Sequence, residues 1–454
     1  MIKKLIFFTP HIFRLAANPV CWVFAHIFAR LIVLYYAKSL EGDDGIRYLT
    51  EAVNLLQFGI FSHELSNNPL PTAHDMPLFP FWLAALILLS GDIENAIFIS
   101  SFLNCFFFGL TCWAIYLLSW RLFKKKSVCL FTVIVFGLFP ETFPYTLFHM
   151  PDILCITFFT SSLLFLVLYF QILENKYLIF SSLFLGLAVM TKPIMIIFVF
   201  IFLSSIFTWF FSQREILRGI KSSITLLILF SAVISPWIVR NFVTFGQVGI
   251  SSISGYNLFN YNYKYLLQDK YPKEFEFLLN KKSDVILKGL SDEQKSNPML
   301  ISARLGSLAK EEILSNFTAY LETTLKRHPR LYIGTGTPAL FALLGDNNAA
   351  AELKQFVSKD KNFYELSWRV QLVQSVSWIV LAILYLASLF GVTCLVINKK
   401  WVQLLLLLGI CCIFMAIIGP VTYTRYRFVL LPTLSILAAY GFSNFFYRRK
   451  QSNC

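Results

Sequence analysis

Ten apolar runs, most of them long enough to cross a lipid bilayer, constrain the fold of this chain more than any other feature. A spanning α-helix needs about 20 mostly apolar residues, and within lipid it must pair its backbone N–H and C=O groups internally. We predict spans at residues 20–38, 97–120, 127–146, 152–173, 177–191, 194–211, 222–239, 370–397, 402–419 and 428–447. The chain is therefore predicted to be an all-α polytopic membrane protein.

The composition agrees with insertion into a bilayer and argues against a nucleic-acid-binding protein. The chain is 57% hydrophobic and 14% charged, whereas about a quarter of the residues in soluble domains are charged. Its net charge of +14 raises the question of a nucleic-acid partner, but the lysines and arginines occur in small clusters between the apolar runs. Such clusters are typical of topology signals. We therefore expect the lipid bilayer, and no nucleic acid, as a partner.

The positions of the basic clusters predict how the chain is oriented. With a cytoplasmic N-terminus, the cytoplasmic ends hold most of the basic residues, including Lys124–Lys126, Lys399–Lys400 and Arg448–Lys450. The positive-inside rule therefore favours cytoplasmic N- and C-termini. This orientation requires that residues 77–91 lie on the membrane or re-enter it, because a full span there would reverse the orientation of every later span. Residues 331–345 form a second short apolar piece that we expect to lie on the membrane.

Two long segments then face outward, and they divide the chain. Residues 39–96 form a first outer loop that would carry the catalytic groups of an N-terminal transmembrane module, residues 1–245. Residues 246–369 form a large outer loop, which we predict to be largely helical. Residues 370–454 hold the C-terminal transmembrane helices.

The cysteines do not predict a metal site or a disulfide framework. All nine lie in apolar runs or at the C-terminus, and none has a CxxC or Cys/His spacing that is typical of a metal site. We therefore expect no cofactor; a divalent cation is possible but is not indicated by any residue pattern.

The stretch "EGDDG" at residues 41–45 follows the first predicted span with three carboxylates. Asp43 and Asp44 stand at or just before the N-terminus of a predicted amphipathic helix, where free backbone N–H groups and the helix dipole stabilise a carboxylate. One interpretation is therefore a helix cap. The other is a general base facing a membrane-embedded cavity, because acidic residues near a bilayer are costly and are usually functional.

The other short loops on the same predicted side carry polar residues beside proline or glycine. Any one of these residues is readily explained as a snorkelling or capping residue. Together they predict a mixed-charge cavity, in which carboxylates could activate a hydroxyl or an amine and cations could hold a phosphate. The residues are Glu141, His149, Asp152, Lys192, Arg240, Asn241, Tyr423, Arg425, Tyr426 and Arg427.

Several motifs, taken in order, resemble those of the GT-C glycosyltransferases. They are "GDDGIRYLTEAVNLLQFGIFS", "MPLFPFWLA", "LFHMPD", "GLAVMTKP", "SPWIVRNFVTFG" and "TRYRFVLLPTLSILAAYG". The resemblance is to the bacterial relatives of dolichyl-phosphate-mannose protein mannosyltransferases and of lipid A aminoarabinose transferases. It covers about residues 40–445 and is weakest in the 260–370 loop. It implies a GT-C-like fold.

The resemblance also implies a role for the acids of the first outer loop. In that family an aspartate, usually in a pattern like D-x-x-x-Y, acts as the catalytic base or positions it. Asp44 with Tyr48 fits this spacing, so Asp44 is the first candidate and Asp43 the second, and Glu41 could assist.

The family further implies cations at the phosphate of the sugar donor. Lys192 in "TKP" and Arg240 in "PWIVRN" match basic positions near that phosphate, and Arg425 and Arg427 match the "RY" element before the last span. The residues expected to support the site are Glu41, Tyr48, Glu141, His149, Asp152 and Asn241.

The activity that the resemblance implies is transfer of a sugar from a polyprenyl-phosphate donor to an acceptor, which is lipid A, another glycan or a protein. The reaction would invert the anomeric carbon, use a carboxylate base and take place at the outer face of the membrane. The implied location is the inner membrane of a bacterium, with the active site in the periplasm.

Two other functions stay open at this stage. A polysaccharide ligase or polymerase also combines many spans with one large outer loop, although the acidic first loop argues against it. A transporter of a lipid-linked sugar needs ionisable groups along a route through the membrane. Arg30 is the main ionisable residue inside a predicted span, and it could snorkel to the surface.

Overall fold

Every regular secondary-structure element in the part of the chain that the structure describes is a helix. The structure is a computed structural model that describes residues 18–42, 44–358 and 360–452. The helices up to residue 245 are α1 (Pro19–Tyr36), α2 (Gly45–Phe58), α3 (Leu78–Ser90), α4 (Ile93–Phe123), α5 (Lys126–Leu138), α6 (Thr142–Leu147), α7 (Asp152–Ile172), α8 (Asn175–Thr191), α9 (Ile197–Ser212) and α10 (Ile216–Phe245).

Shorter helices follow α10, and three long ones complete the described chain. The shorter ones are α11 (Ile253–Asn257), a π-helical turn (Leu258–Tyr263), α12 (Lys264–Lys270), α13 (Phe275–Lys288), α14 (Asp292–Lys295), α15 (Pro298–Ser315), α16 (Phe317–Ile333), α17 (Thr337–Leu343) and α18 (Asn347–Ser358). The C-terminal helices are α19 (Trp368–Ile397), α20 (Trp401–Ile418) and α21 (Thr424–Ser452).

Eight helices in the described ranges are long and apolar enough to cross a membrane: α1, α4, α7, α9 with the turn before it, α10, α19, α20 and α21. This confirms the predicted all-α, multi-pass membrane architecture. Two of the ten predicted spans, residues 127–146 and 177–191, correspond to the shorter apolar helices α5 and α8. The short apolar run at residues 77–91 forms α3.

The predicted span at residues 127–146 is interrupted because Pro140 stops α5. The residue before a proline disfavours the helical conformation, and Phe139 is accordingly extended. The chain then resumes as α6. Arg30 of α1 spans the break: its guanidinium donates to the carbonyl oxygen of Gly137 at 3.2 Å and to the hydroxyl of Thr142.

Arg30 does not snorkel to the surface. Its side chain is fully buried and lies against the ring of Phe108, with 3.2 Å between the guanidinium carbon and the ring centroid. The broken end of α5 provides the reason, because its last carbonyl groups have no partners within the helix and attract a cation.

Glycines bring α21 against α19. A Cβ atom on Gly391 of α19 would lie 2.0 Å from the carbonyl oxygen of Leu437, and one on Gly441 of α21 would lie 2.3 Å from that of Ala387. Small residues allow membrane helices to approach this closely and gain van der Waals contact. The packing fixes the position of α21, whose first turn carries Arg425 and Arg427.

The long helices alternate in direction, so their connections fall at two ends. α7 and α8 form an antiparallel pair, which places the start of α7 and the end of α8 at the same end. The starts of α4, α19 and α21 and the ends of α1, α10 and α20 lie there too; we call it the site end. The connections at the opposite end contain the basic clusters, including Lys124–Lys126 and Lys399–Lys400.

Candidate active site

Asp44 stands directly before α2, but its side chain does not cap that helix. Its two carboxylate oxygens pair instead with two guanidinium groups. Oδ1 accepts from Nη1 of Arg47 at 2.9 Å, and Oδ2 accepts from Nη1 of Arg425. Arg47 lies one turn further along α2, whereas Arg425 comes from the first turn of α21. The carboxylate therefore joins the segment between α1 and α4 to the last helix.

Arg425 bridges Asp44 to a second carboxylate. Its Nε and Nη2 atoms donate to Asp152 at 2.9 and 2.6 Å, in the bidentate geometry that suits a planar guanidinium. Asp152 is the first residue of α7 and is almost completely buried. It also accepts from the ammonium group of Lys192 at 2.5 Å, at the end of α8. Four predicted site residues from four parts of the chain are thus brought together.

A further acid–base pair extends this arrangement at the other end. Arg47 donates through Nη2 to Asp75 at 3.0 Å and also through Nε. Asp75 is buried and lies in the loop before α3. We call the whole set the charge row, and its members in order are Asp75, Arg47, Asp44, Arg425, Asp152 and Lys192. Carboxylates and cations alternate along it, and their formal charges cancel.

The charge row controls the protonation of the residues within it. Burial alone would raise the pKa of Asp44, but the guanidinium groups of Arg425 and Arg47 outweigh burial and hold that pKa below its ordinary value. Asp44 is therefore ionised at neutral pH. Burial and the charge of Arg425 lower the pKa of Lys192, against the opposing effect of Asp152.

Glu51 lies one turn beyond Arg47 and Tyr48 on α2 and is the most unusual acid of the region. It is fully buried, and neither carboxylate oxygen has a hydrogen-bond partner within the described residues. Burial and the nearby charge of Asp75 raise the pKa of Glu51 well above its ordinary value. The Nδ1 atom of His63 lies 3.9 Å from its Oε1 atom.

Arg240 and Asn241 lie beside the charge row without an ion pair to it. Arg240 donates to the carbonyl oxygen of Thr72 at 2.7 Å and to Oδ1 of Asn241 at 3.0 Å. Its guanidinium carbon lies 4.7 Å from the ring centroid of Trp237. Asn241 is buried and donates to the carbonyl oxygen of Gly249 at 3.0 Å. The two residues hold the loop after α10 against the first outer loop.

Arg427 has a different set of partners from Arg425. Its guanidinium pairs with Glu141 and donates to the carbonyl oxygens of Leu331 at 2.6 Å and Gly334 at 2.7 Å. It is 2% exposed, so its donors are taken up inside the protein. Glu141 also accepts from the N–H of Gly336 at 2.9 Å. This pair fixes the connection between α16 and α17.

The remaining predicted residues lie around the start of α2. His149 is fully buried; its Nδ1 atom lies 2.6 Å from the carbonyl oxygen of Leu40, and burial lowers its pKa. The ring of Tyr48 is buried against that of Phe79, with 5.4 Å between centroids. Glu41 is exposed, and Asp43 lies outside the described residues.

Sequence reasoning did not include Arg47, Asp75 or Glu51 in the site. The sequence does contain a signal for Arg47, because residues three apart on a helix lie side by side and Asp44 directly precedes α2. It contains no comparable signal for Asp75 or Glu51, whose proximity depends on how the loop before α3 folds back over α2.

The charge row suits reactions in which an anion is bound while a proton moves. An ionised carboxylate, Asp44, can accept a proton, and Arg425 and Lys192 can bind an oxyanion. Within the described residues, no cluster of three or more His, Cys, Asp or Glu side chains is arranged to hold a metal ion.

Residues 75–239 match the family described as dolichyl-phosphate-mannose-protein mannosyltransferase. No curated protein matches the sequence at a significant level.

Solved structures of the archaeal oligosaccharyltransferase AglB from Archaeoglobus fulgidus share the fold. The complex of AglB with an inhibitory peptide and a dolichol-phosphate has a TM-score of 0.51 at 12% identity over 95% of this chain and 52% of AglB. The form tethered to an acceptor peptide has a TM-score of 0.51 at 12% identity over 94% of this chain and 50% of AglB. This chain thus spans about half the length of AglB.

ArnT from Cupriavidus metallidurans bound to undecaprenyl phosphate has a TM-score of 0.42 at 11% identity over 93% of this chain and 77% of that chain. The chain therefore shares its fold with AglB, and its residues 75–239 match the dolichyl-phosphate-mannose-protein mannosyltransferase family.

Proposed function

We propose that the protein transfers a sugar from a polyprenyl-phosphate donor to an acceptor at the outer face of the membrane. The observation that carries this proposal is the position of Arg425, which bonds to Asp44 on one side and to Asp152 on the other, with Lys192 on the same Asp152. A candidate proton acceptor and two candidate phosphate ligands thereby lie within one connected site at the ends of membrane helices.

The donor lipid suits the surroundings of the site. A polyprenyl chain requires a hydrocarbon environment, and the lipid around the membrane helices provides one up to the site end. The single phosphate of the donor can be held by Lys192 and Arg425, because guanidinium and ammonium groups form strong charge-assisted hydrogen bonds to phosphate oxygens. Water is scarce beside these buried groups, which strengthens the electrostatic stabilisation of a developing charge.

The reaction proceeds by direct displacement in this proposal. The acceptor oxygen or nitrogen attacks the anomeric carbon from the face opposite the phosphate, so that the configuration inverts. The bond from the anomeric carbon to the phosphate oxygen breaks, and its electron pair stays on the phosphate. The proton of the acceptor passes to Asp44. Help from a general base of this kind contributes about 10²–10⁴-fold to a rate.

Arg425 couples the two charge changes of this reaction. While Asp44 is ionised, Arg425 is shared between Asp44 and Asp152. When Asp44 takes up the proton it becomes neutral, and its attraction for Arg425 weakens. At the same moment the leaving phosphate gains a negative charge. The Nη1 group of Arg425 is then available to that phosphate, and the total charge of the site does not change.

The positive-inside rule supports an outward-facing site. The basic clusters stand at the end opposite the charge row, so a cytoplasmic location for them puts the charge row on the extracytoplasmic side, with both termini in the cytoplasm. In a bacterial inner membrane that side is the periplasm. The acceptor, a lipid, a glycan or a protein, would reach the site along the segment between α10 and α19.

A transfer assay with Asp44→Asn tests the proposal. Membranes that contain the protein are supplied with radiolabelled sugars on polyprenyl phosphate, and transfer to added or endogenous acceptors is measured. We expect the Asp44→Asn variant to lose transfer by about 10²–10⁴-fold while it inserts into the membrane at the wild-type level, because asparagine keeps the shape of aspartate without its basicity.

Asp292→Asn is the matched control, because the side chain of Asp292 is 99% exposed on the outer segment, and we expect it to keep full transfer. Full transfer by Asp44→Asn would remove Asp44 from the chemistry. Full transfer by Asp43→Asn as well would rule out the acidic loop as the source of the base.

A further inference from the structure

Six aromatic side chains form two groups of three rings in contact, built from the loops that carry the charge row and from residues 246–369. The ring of His74 lies between those of His63 and Tyr256, with 5.7 Å between centroids in both pairs. The ring of Tyr423 likewise lies between those of Tyr261 at 6.4 Å and Tyr426 at 6.3 Å. We call this set the aromatic row, and its members are His63, His74, Tyr256, Tyr261, Tyr423 and Tyr426.

Each of the two groups in the aromatic row contains a residue that is next to a member of the charge row in the sequence. His74 directly precedes Asp75, and Tyr423 and Tyr426 flank Arg425 in the sequence. Burial, Tyr256 and the Asp44 carboxylate together raise the pKa of Tyr261. Residues 246–369 supply Tyr256 and Tyr261 to the two groups of rings.

Some of these rings are open to a ligand. Tyr256 is 44% exposed and Tyr423 is 53% exposed, although each already contacts another ring. An aromatic ring carries a partial negative charge on its face, which attracts C–H bonds. A ligand that suits both rows must present C–H groups on one face and polar groups at its edges, and a sugar ring has this chemistry.

We propose that the exposed faces of Tyr423 and Tyr256 bind the sugar ring of the donor, while its hydroxyl groups face the charge row. This inference rests on the proposed function and adds to it the surface that recognises the sugar.

Binding measurements with two lipids separate this role from simple anchoring in the membrane interface, where tyrosines are also common. The full-length protein in nanodiscs is titrated with a polyprenyl phosphate and with the same lipid carrying a hexose. We expect Tyr423→Leu to weaken binding of the glycosylated lipid by about 3- to 10-fold, the effect of losing one aromatic contact, and to leave binding of the plain lipid phosphate unchanged. Tyr423→Phe keeps the ring and should bind both lipids like the wild type.

Tyr256→Leu provides an independent variant with the same expected result. Tyr364→Leu is the control, because Tyr364 is 88% exposed outside the aromatic row and should change neither affinity. Equal loss for both lipids, or no loss in either leucine variant, would overturn the sugar surface while the proposed function stands. Failure of the wild type to bind either lipid would instead overturn the proposed function and the sugar surface with it.

Discussion

At the scale of single residues, the chemistry of the site depends on how the carboxylate of Asp44 is shared between Arg47 and Arg425. Two guanidinium groups hold its carboxylate in the ionised form, which prepares it to accept a proton but also makes it a weak base. Neutralising or withdrawing one of the two cations makes Asp44 more basic. Arg47 is therefore a positioning residue that sets the protonation of Asp44, and Asp75 in turn holds Arg47.

The pH dependence of transfer tests this role of Arg47. The pKa of Asp44 is lowered in the folded protein, so the active, ionised form is present above that pKa and is lost as the pH falls through it. Arg47→Gln removes one cation and raises the pKa of Asp44. We expect the acid limb of the pH–rate profile to move to higher pH in this variant.

Arg47→Lys is the control for the loss of the guanidinium shape, because lysine lacks that shape but keeps the positive charge. Its acid limb should stay closer to that of the wild type. An acid limb that is the same in Arg47→Gln as in the wild type would contradict the assignment of Asp44 as the titrating base.

At the scale of helices, buried ion pairs hold together elements that are separated in the sequence. Arg425 and Arg427 both lie in the first turn of α21, yet their side chains contact different elements. Two residues turn a helix by about 200°, so their side chains leave opposite faces. Arg425 meets the charge row, whereas Arg427 meets Glu141 and the connection between α16 and α17. The proposal that Arg427 also binds the donor phosphate can be tested separately.

A double substitution distinguishes a structural Arg427 from a phosphate ligand. Arg427→Met leaves the buried Glu141 carboxylate without its cation, which costs about 3–5 kcal/mol of stability and should lower the Tm clearly. Adding Glu141→Gln removes the unpaired charge but keeps an acceptor for the N–H of Gly336. The double variant should therefore regain part of the lost Tm, measured by thermal unfolding in detergent, together with part of the transfer activity. A double variant with restored Tm and no transfer would show that Arg427 acts on the donor.

At the scale of the whole molecule, the two ends of the helical bundle differ in charge. The site end carries the charge row, in which acids and bases balance, and the opposite end carries the lysine and arginine clusters. This asymmetry predicts the orientation in the membrane, and the orientation decides from which compartment the acceptor comes.

Single cysteines at the two ends test the orientation. Asp92→Cys and Asp292→Cys introduce thiols at exposed positions of the site end, and Gln213→Cys and Lys399→Cys do so at the opposite end. In intact bacterial cells, a membrane-impermeant maleimide should label the first two variants and not the last two, which become reactive only after lysis. The unmodified chain gives the background, since its described cysteines are mostly buried. Labelling of Lys399→Cys in intact cells would show that the orientation is opposite to the predicted one.

The sequence alone was sufficient for the class of fold, because an apolar run long enough to span a bilayer is stable in few environments other than a membrane. It also indicated Asp44, Asp152, Lys192 and Arg425, since charged residues at the ends of such runs are costly and seldom accidental. Each of these four residues lies where a membrane helix begins or ends, or in the loop next to one.

Only the tertiary structure decided which charges meet. Ion pairing depends on the rotation of each helix and on close approach between helices distant in the sequence, and an apolar pattern fixes neither. Arg425 and Arg427 look equivalent in the motif "TRYR", but the packing of α21 gives them different partners. Likewise, the fold of the loop before α3 brings Asp75 to Arg47, and no pattern in the sequence determines that contact.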